Sequence, residues 1–261
     1  MSRIIAIANH KGGVGKTTSV ASIGAALANT GENVLLIDLD AQANLTESLL
    51  KEPVTGETIY DKFIGEAEGL ETRQVVKVKE NLYIVPSCLD MAAVDIALAQ
   101  KDYREYILKR LIETTESEKS YDYILLDCPP SLGIVTINAF TSADYVIVPL
   151  AAEALPFKGL TMIEGILSTV KANLNRSLNF LGLFITRWEG RNLNKLVEGA
   201  LQTTYGEKMF KTKIRNNISI AEAPLTKEDI FTYAKNSRGA KDYSLLADEL
   251  IEKIWKAEEN R

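Results

Sequence analysis

Two lysines bracket a glycine-rich stretch near the start of the chain, Lys11-Gly12-Gly13-Val14-Gly15-Lys16-Thr17-Thr18. In a phosphate-binding loop of the pattern Gly-x-x-x-x-Gly-Lys-Ser/Thr, backbone N–H groups and a helix N-terminus surround the phosphates. The lysine pairs with them and the hydroxyl ligates magnesium. Gly15, Lys16 and Thr17 fit that pattern, whereas the first glycine position is taken by His10 and a second lysine, Lys11, opens the loop. The chemistry expected is binding of ATP with Mg2+. Asp38 and Asp40 close an apolar run two residues apart, so in an extended chain they share a face. They are expected beside the loop at the carboxyl end of the sheet, where open α/β folds bind ligands. Asp127 ends a second apolar run and is followed by Cys128-Pro129-Pro130, which stops the strand; its carboxylate is expected to hold magnesium through water. Residue 10 is the only histidine, and a strand-end position suits it better than a catalytic one.

These residues need strands that end together. Short apolar, β-rich runs at residues 3–9, 33–38, 82–86, 123–127, 145–149 and 178–186 read as strands. Helical spacing covers residues 17–30, 91–114, 133–140, 158–174 and 194–204, with a short helix after 42–47. Residues 52–79 read as a polar excursion. Alternating strands and helices with near-continuous apolar strands predict an α/β fold, a mostly parallel twisted sheet with helices on both faces. No linker or repeat divides it, so residues 1–261 are expected to form one domain.

The chain has 261 residues, 46% hydrophobic and 25% charged, which excludes disordered and fibrous classes. No run approaches the length needed to span a bilayer and no cleavable leader precedes the first strand, so a cytoplasmic location is expected. Cys88 and Cys128 are far apart, suggesting neither a disulfide framework nor a zinc site, and both are expected as small buried side chains. The net charge of −5 argues against a general nucleic-acid binder, but residues 171–215 carry nine Lys and Arg against three acids, a local +6. An anionic partner would dock there, with Lys211, Lys213 and Arg215 as candidate contacts.

The sequence KGGVGKTT resembles the deviant Walker A loop of the ParA/MinD group of P-loop ATPases. Residues 138–149, 221–224 (AEAP) and 237–240 (SRGA) extend the resemblance, to ParA/Soj partition ATPases, over nearly the whole chain. It implies an ATPase that forms a homodimer with ATP, binds DNA without sequence preference on the nucleoid, and is stimulated by a ParB-like centromere-binding partner. On that footing Lys11 crosses the dimer interface to the partner's phosphates, Asp40 positions the attacking water, and Asp38 is a magnesium-side or switch carboxylate. Asn217 touches the adenine; Arg215 stands where the family usually has proline, as Ala41 does after Asp40. Arg191 aligns with a DNA-contacting arginine, and Ser219 stands where a second is common. A MinD-like membrane switch is an alternative, but the last segment, residues 242–261, places Tyr243, Leu246, Leu250 and Ile254 on one stripe opposite an acidic face, which suits core packing. Two unpaired cysteines speak against an iron-sulfur reductase of the same superfamily. A mobile-element or conjugation ATPase with another partner stays open.

Overall fold

The structure, a computed structural model, describes residues 2–65, 74–118, 120–152 and 157–259. Its strands are β1 (Arg3–Ile7), β2 (Val34–Asp38), β3 (Val76–Lys79), β4 (Leu82–Val85), β5 (Tyr123–Asp127), β6 (Tyr145–Ala151), β7 (Asn179–Trp188) and β8 (Met209–Arg215). They form one sheet in the order β3-β4-β2-β5-β1-β6-β7-β8, parallel throughout except for β3 against β4. The helices are α1 (Lys16–Asn29), α2 (Asn44–Leu49), α3 (Ile59–Ile64), α4 (Val94–Ala97), α5 (Ile107–Glu118), α6 (Ile134–Ser142), α7 (Phe157–Asn173), α8 (Asn192–Tyr205), α9 (Ile218–Glu222), α10 (Ile230–Ala234) and α11 (Arg238–Glu259).

The central strands are apolar on both faces because each face carries its own core. Alternate residues of β1 show the division: Ala6 packs with Leu35, Ile124, Phe140, Leu160 and Leu201 under α5 to α8. Ile5 and Ile7 pack with Ile23, Leu27, Leu36 and Leu250 under α1 and α11. The stripe Tyr243, Leu246, Leu250 and Ile254 of α11 is buried in this second core, while Trp255 stays 57% exposed. Residues 260–261 of the anticipated segment lie outside the described residues. Among the described residues no helix is long and apolar enough to cross a membrane.

Three local expectations are corrected. The continuous helix anticipated over 91–114 is broken into a 3-10 turn at Leu89–Ala93, the short α4, a turn at Arg104–Tyr106, and α5. Tyr103, at φ 54, sits in the left-handed region and no α-helix continues through such a residue. The polar excursion at 52–79 contains α3 and β3, with residues 66–73 outside the described set. β8 had no apolar run to announce it: its sequence MFKTKIR buries Met209, Phe210 and Ile214 and leaves Lys211 and Arg215 exposed, as an edge strand can.

Where β7 meets β8, Gly182 adopts φ 150 and lies directly against the Lys208 carbonyl, so that a β-carbon there would collide with the backbone oxygen. We expect Gly182→Ala to lower stability by about 2 to 4 kcal/mol, from overpacking and backbone strain together. Urea unfolding would report this as a lower midpoint with an unchanged slope.

Candidate nucleotide site

The loop between β1 and α1 is held by side chains at both ends. Asn9 donates from Nδ2 to the Pro149 carbonyl at 2.6 Å and accepts the Lys11 N–H on Oδ1 at 2.9 Å. At the other end Thr186, near the close of β7, donates its hydroxyl to the Val14 carbonyl at 2.9 Å. Gly15 occupies the N-cap of α1 at φ 87, a left-handed conformation that residues with a β-carbon disfavour. No side chain caps α1, and no acid lies in its first turn. Its leading N–H groups and the positive end of its dipole are left to an anionic ligand. Gly12, Gly13 and residues 15–18 line a cleft of about 1040 Å3 together with Asp40, Cys88, Pro130 and Leu225.

Lys16 is 6% exposed and donates to the Lys11 carbonyl at 3.3 Å. Burial lowers its pKa, and the negative charge of Asp127 opposes that shift. Asp127 and Asp38 are register partners at the ends of adjacent parallel strands, and both are buried. Neither Asp127 oxygen meets a donor at full hydrogen-bond geometry among the described residues, and the Thr17 hydroxyl is its nearest help. Its carboxyl is pushed well above the usual range by burial first and by the Asp38 charge second, although the Thr17 hydroxyl and Lys16 favour the charged form. A buried carboxylate beside a loop hydroxyl is what a hydrated magnesium ion uses. Among the described residues there is no cluster of three or more His, Cys, Asp or Glu to cage a metal by protein alone.

Asp38 is engaged differently. Its Oδ2 accepts the N–H and hydroxyl of Thr46 at 2.9 and 2.7 Å, and Oδ1 accepts the Asp40 N–H at 3.1 Å. Burial raises its pKa to about 6 against the pull of those donors. Thr46 in turn accepts the Ser87 N–H, and the Ser87 hydroxyl donates to the Asp40 carbonyl at 2.8 Å. The result is a network that fixes the backbone presenting Asp40, whose own half-buried carboxylate accepts the Gln42 N–H. Thr46 and Ser87 carry no sequence signal of this role, since only the fold brings them to Asp38. Cys128 is fully buried as anticipated, but Cys88 is half-buried on the cleft wall, its sulfur 3.3 Å from the Thr58 hydroxyl. His10 is exposed beyond the end of β1.

A side chamber of about 560 Å3 adjoins the loop at Gly15 and Thr18 and is lined by Arg187, Arg215, Asn216, Asn217 and Tyr243. Asn217 caps α9 by accepting the Ser219 N–H. The Arg215 guanidinium turns onto Asp242, a 3% exposed carboxylate of α11, at 2.6 to 3.2 Å, and the Arg215 N–H binds the same group. Tyr243 exchanges a buried 3.1 Å hydrogen bond with Ser19 of α1. Of the other cations anticipated as DNA contacts, Arg191 pairs with Glu189 at 2.7 Å and is 76% exposed. Lys213 pairs with Glu198 and stacks on Trp188, and Lys211 is exposed on β8.

A family model described as an AAA domain matches residues 2–180. The sporulation initiation inhibitor protein Soj of Bacillus subtilis is 38% identical over 252 residues, covering 96% of this chain and 98% of that protein. Chromosome partitioning protein ParA of Caulobacter vibrioides is 37% identical over 251 residues, covering 95% and 94%. Among solved structures, cobyrinic acid a,c-diamide synthase from Mycobacterium smegmatis with a bound ATP analogue and magnesium superposes with a TM-score of 0.83 at 33% identity, covering 98% and 96%. A plasmid partition protein from Borrelia burgdorferi bound to AMPPNP gives 0.82 at 25% identity, covering 98% and 100%.

Burial of the Asp127 carboxyl has a measurable consequence. Asp127→Asn is expected to stabilise the nucleotide-free protein by about 1 to 3 kcal/mol at pH 8, because it removes a buried charge whose desolvation outweighs the help of Thr17 and Lys16. A carboxyl whose folded pKa is raised costs stability as pH rises through that pKa. The advantage of the variant should therefore shrink as pH falls and wild-type Asp127 takes up its proton. Thermal melts of both proteins across pH 5 to 8 would measure the difference; a variant less stable at every pH would contradict it.

Proposed function

This chain belongs to the Soj/ParA family of partition ATPases, and from that premise we propose that it is a MgATP-driven switch that dimerises, grips DNA and releases it on hydrolysis. The observation that carries the reading is the convergence of the uncapped α1 N-terminus and buried Lys16 on one cleft, with the buried Asp127 carboxyl behind Lys16 and Thr17. Lys16 and the loop amides of residues 12–18 bind the phosphates, and Asn217 and its neighbours in the side chamber receive the adenine. The Thr17 hydroxyl and, through water, Asp127 would hold magnesium, which when bound supplies positive charge to the β and γ oxygens. Asp38 acts through the Thr46 and Ser87 network as the switch carboxylate that sets the Asp40 loop, and Asp40 orients the attacking water.

Two features favour a partner subunit over the cleft. Lys11 lies exposed at the loop entrance, where it can reach another subunit's phosphates and stabilise charge developing in transfer. Leu89 and Leu225 line the same cleft at 71% and 83% exposure, apolar surface that a second copy would cover. Arg191 and Lys211 are the proposed DNA contacts: an exposed ion pair such as Arg191 with Glu189 exchanges for a phosphate at little cost. Arg215 is committed to buried Asp242 and serves the fold of the adenine chamber. Hydrolysis is stimulated by a ParB-like centromere-binding partner.

Lys11→Ala is expected to bind ATP yet stay monomeric, whereas Asp40→Ala binds ATP and accumulates as a dimer that releases no phosphate. Size-exclusion with ATP alongside a phosphate-release assay separates the two, and a monomeric Asp40→Ala protein would show the roles misassigned.

Duplex binding should require ATP and ignore sequence. If about six phosphates are engaged per dimer, log affinity falls with log salt at a slope of about −5. Arg191→Ala should reduce that slope by roughly one to two, and Arg215→Ala should leave it unchanged. Equal DNA binding with ATP, ADP and no nucleotide would remove the partition reading.

A further inference from the structure

Arg187 stands one residue before the end of β7 in the left-handed region, at φ 52. In a regular strand successive side chains point to opposite faces. Here the left-handed step breaks the alternation, and two consecutive side chains reach the same loop. Thr186 bonds the Val14 carbonyl, and the Arg187 guanidinium lies across Gly13, its Nη2 3.9 Å from where a β-carbon on that glycine would sit. The register of β7 against β8 is irregular over the same stretch, between Ile185 and Trp188. Arg187 also borders both the phosphate-loop cleft and the side chamber, and so sits at their junction. Residues without glycine's freedom keep such a backbone only where the surroundings enforce it, and these conformations gather at ligand clamps.

We propose that Arg187 is a nucleotide-contacting residue whose guanidinium binds the polyphosphate tail of ATP from the β7 side of the loop, within the same subunit. Lys16 approaches the phosphates from the helix side as a point charge. Arg187 adds a planar donor on the opposite wall, suited to two oxygens at once. The cation is then part of substrate binding in the monomer, before any partner arrives. The inference rests on the cleft holding ATP as proposed above.

Calorimetry with ATP, ADP and AMP on wild type, Arg187→Ala, Arg187→Lys and Arg187→Gly tests it. Loss of a charge-assisted contact should weaken ATP and ADP binding roughly tenfold or more in the alanine variant, with AMP affected least and lysine restoring part of the loss. Arg187→Gly relieves the backbone and should melt no lower than wild type while showing the same loss for ATP, which separates ligand contact from a merely structural role. Repeated in a Lys11→Ala background, where subunits stay apart, the loss should persist. Unchanged ATP affinity in Arg187→Ala, or a loss that disappears in the Lys11→Ala background, would overturn the assignment. Wild type that binds no ATP would instead sink the reading of the cleft itself.

Discussion

A lysine and a carboxylate are buried side by side at the carboxyl end of the sheet without forming a pair, and the rest of the molecule serves that arrangement. Lys16 donates to the Lys11 carbonyl, and Asp127 has only the nearby Thr17 hydroxyl and Lys16 charge to offset its burial, so both groups are desolvated and incompletely compensated. Groups left in this state lower the stability of the empty protein. They are also preorganised: phosphate oxygens and a hydrated cation entering the cleft meet fixed charges that need no rearrangement. The apolar cores on the two sheet faces supply the stability that allows it, burying α1 on one side and α5 to α8 on the other.

The helix that carries the loop is coupled to distant parts of the chain. Ser19 of α1 shares a buried hydrogen bond with Tyr243 of α11, and the next residue back, Asp242, holds Arg215 at the end of β8. The phosphate side and the side chamber are thereby tied to one helix. The Asp40 loop hangs on a separate set of bonds through Asp38, Thr46 and Ser87. Movement of the second set against the first would change where Asp40 stands relative to the phosphates without disturbing their binding. A switch requires that separation between recognition and chemistry.

The legibility of the sequence follows the same division. Strands β1, β2, β5 and β6 were readable because both faces are buried and the runs are continuously apolar, and the loop because its glycines, lysines and threonines are contiguous. β3 and β8 lie at the sheet edges, where VKVK and MFKTKIR alternate cations with apolar residues and look like solvated chain. Tyr103 has no composition that announces a left-handed residue, so the helix anticipated over 91–114 could not be seen to break. Around the cleft, Thr46, Ser87, Thr186 and Arg187 stay silent because their contacts reach across many residues of chain, which spacing does not encode.

Charge counting shows the same limit from another side. The local +6 over residues 171–215 is correct as a sum, yet a cation's usefulness to an external anion depends on the partner it must leave. Arg191 and its half-exposed partner Glu189 sit in water, where leaving one oxyanion for another is nearly neutral. Arg215, itself exposed, holds Asp242, which is buried, and withdrawing it would strand that carboxylate, a cost that a surface phosphate cannot match. Lys213 is held between Glu198 and the face of Trp188, two attractions that reinforce each other. The basic surface one subunit can offer is thus smaller than its formal charge, and an acidic protein of this kind gains a polyanion most economically by presenting two copies of that surface at once. Under the proposed function, nucleotide-dependent pairing would create the DNA site as well as complete the catalytic one.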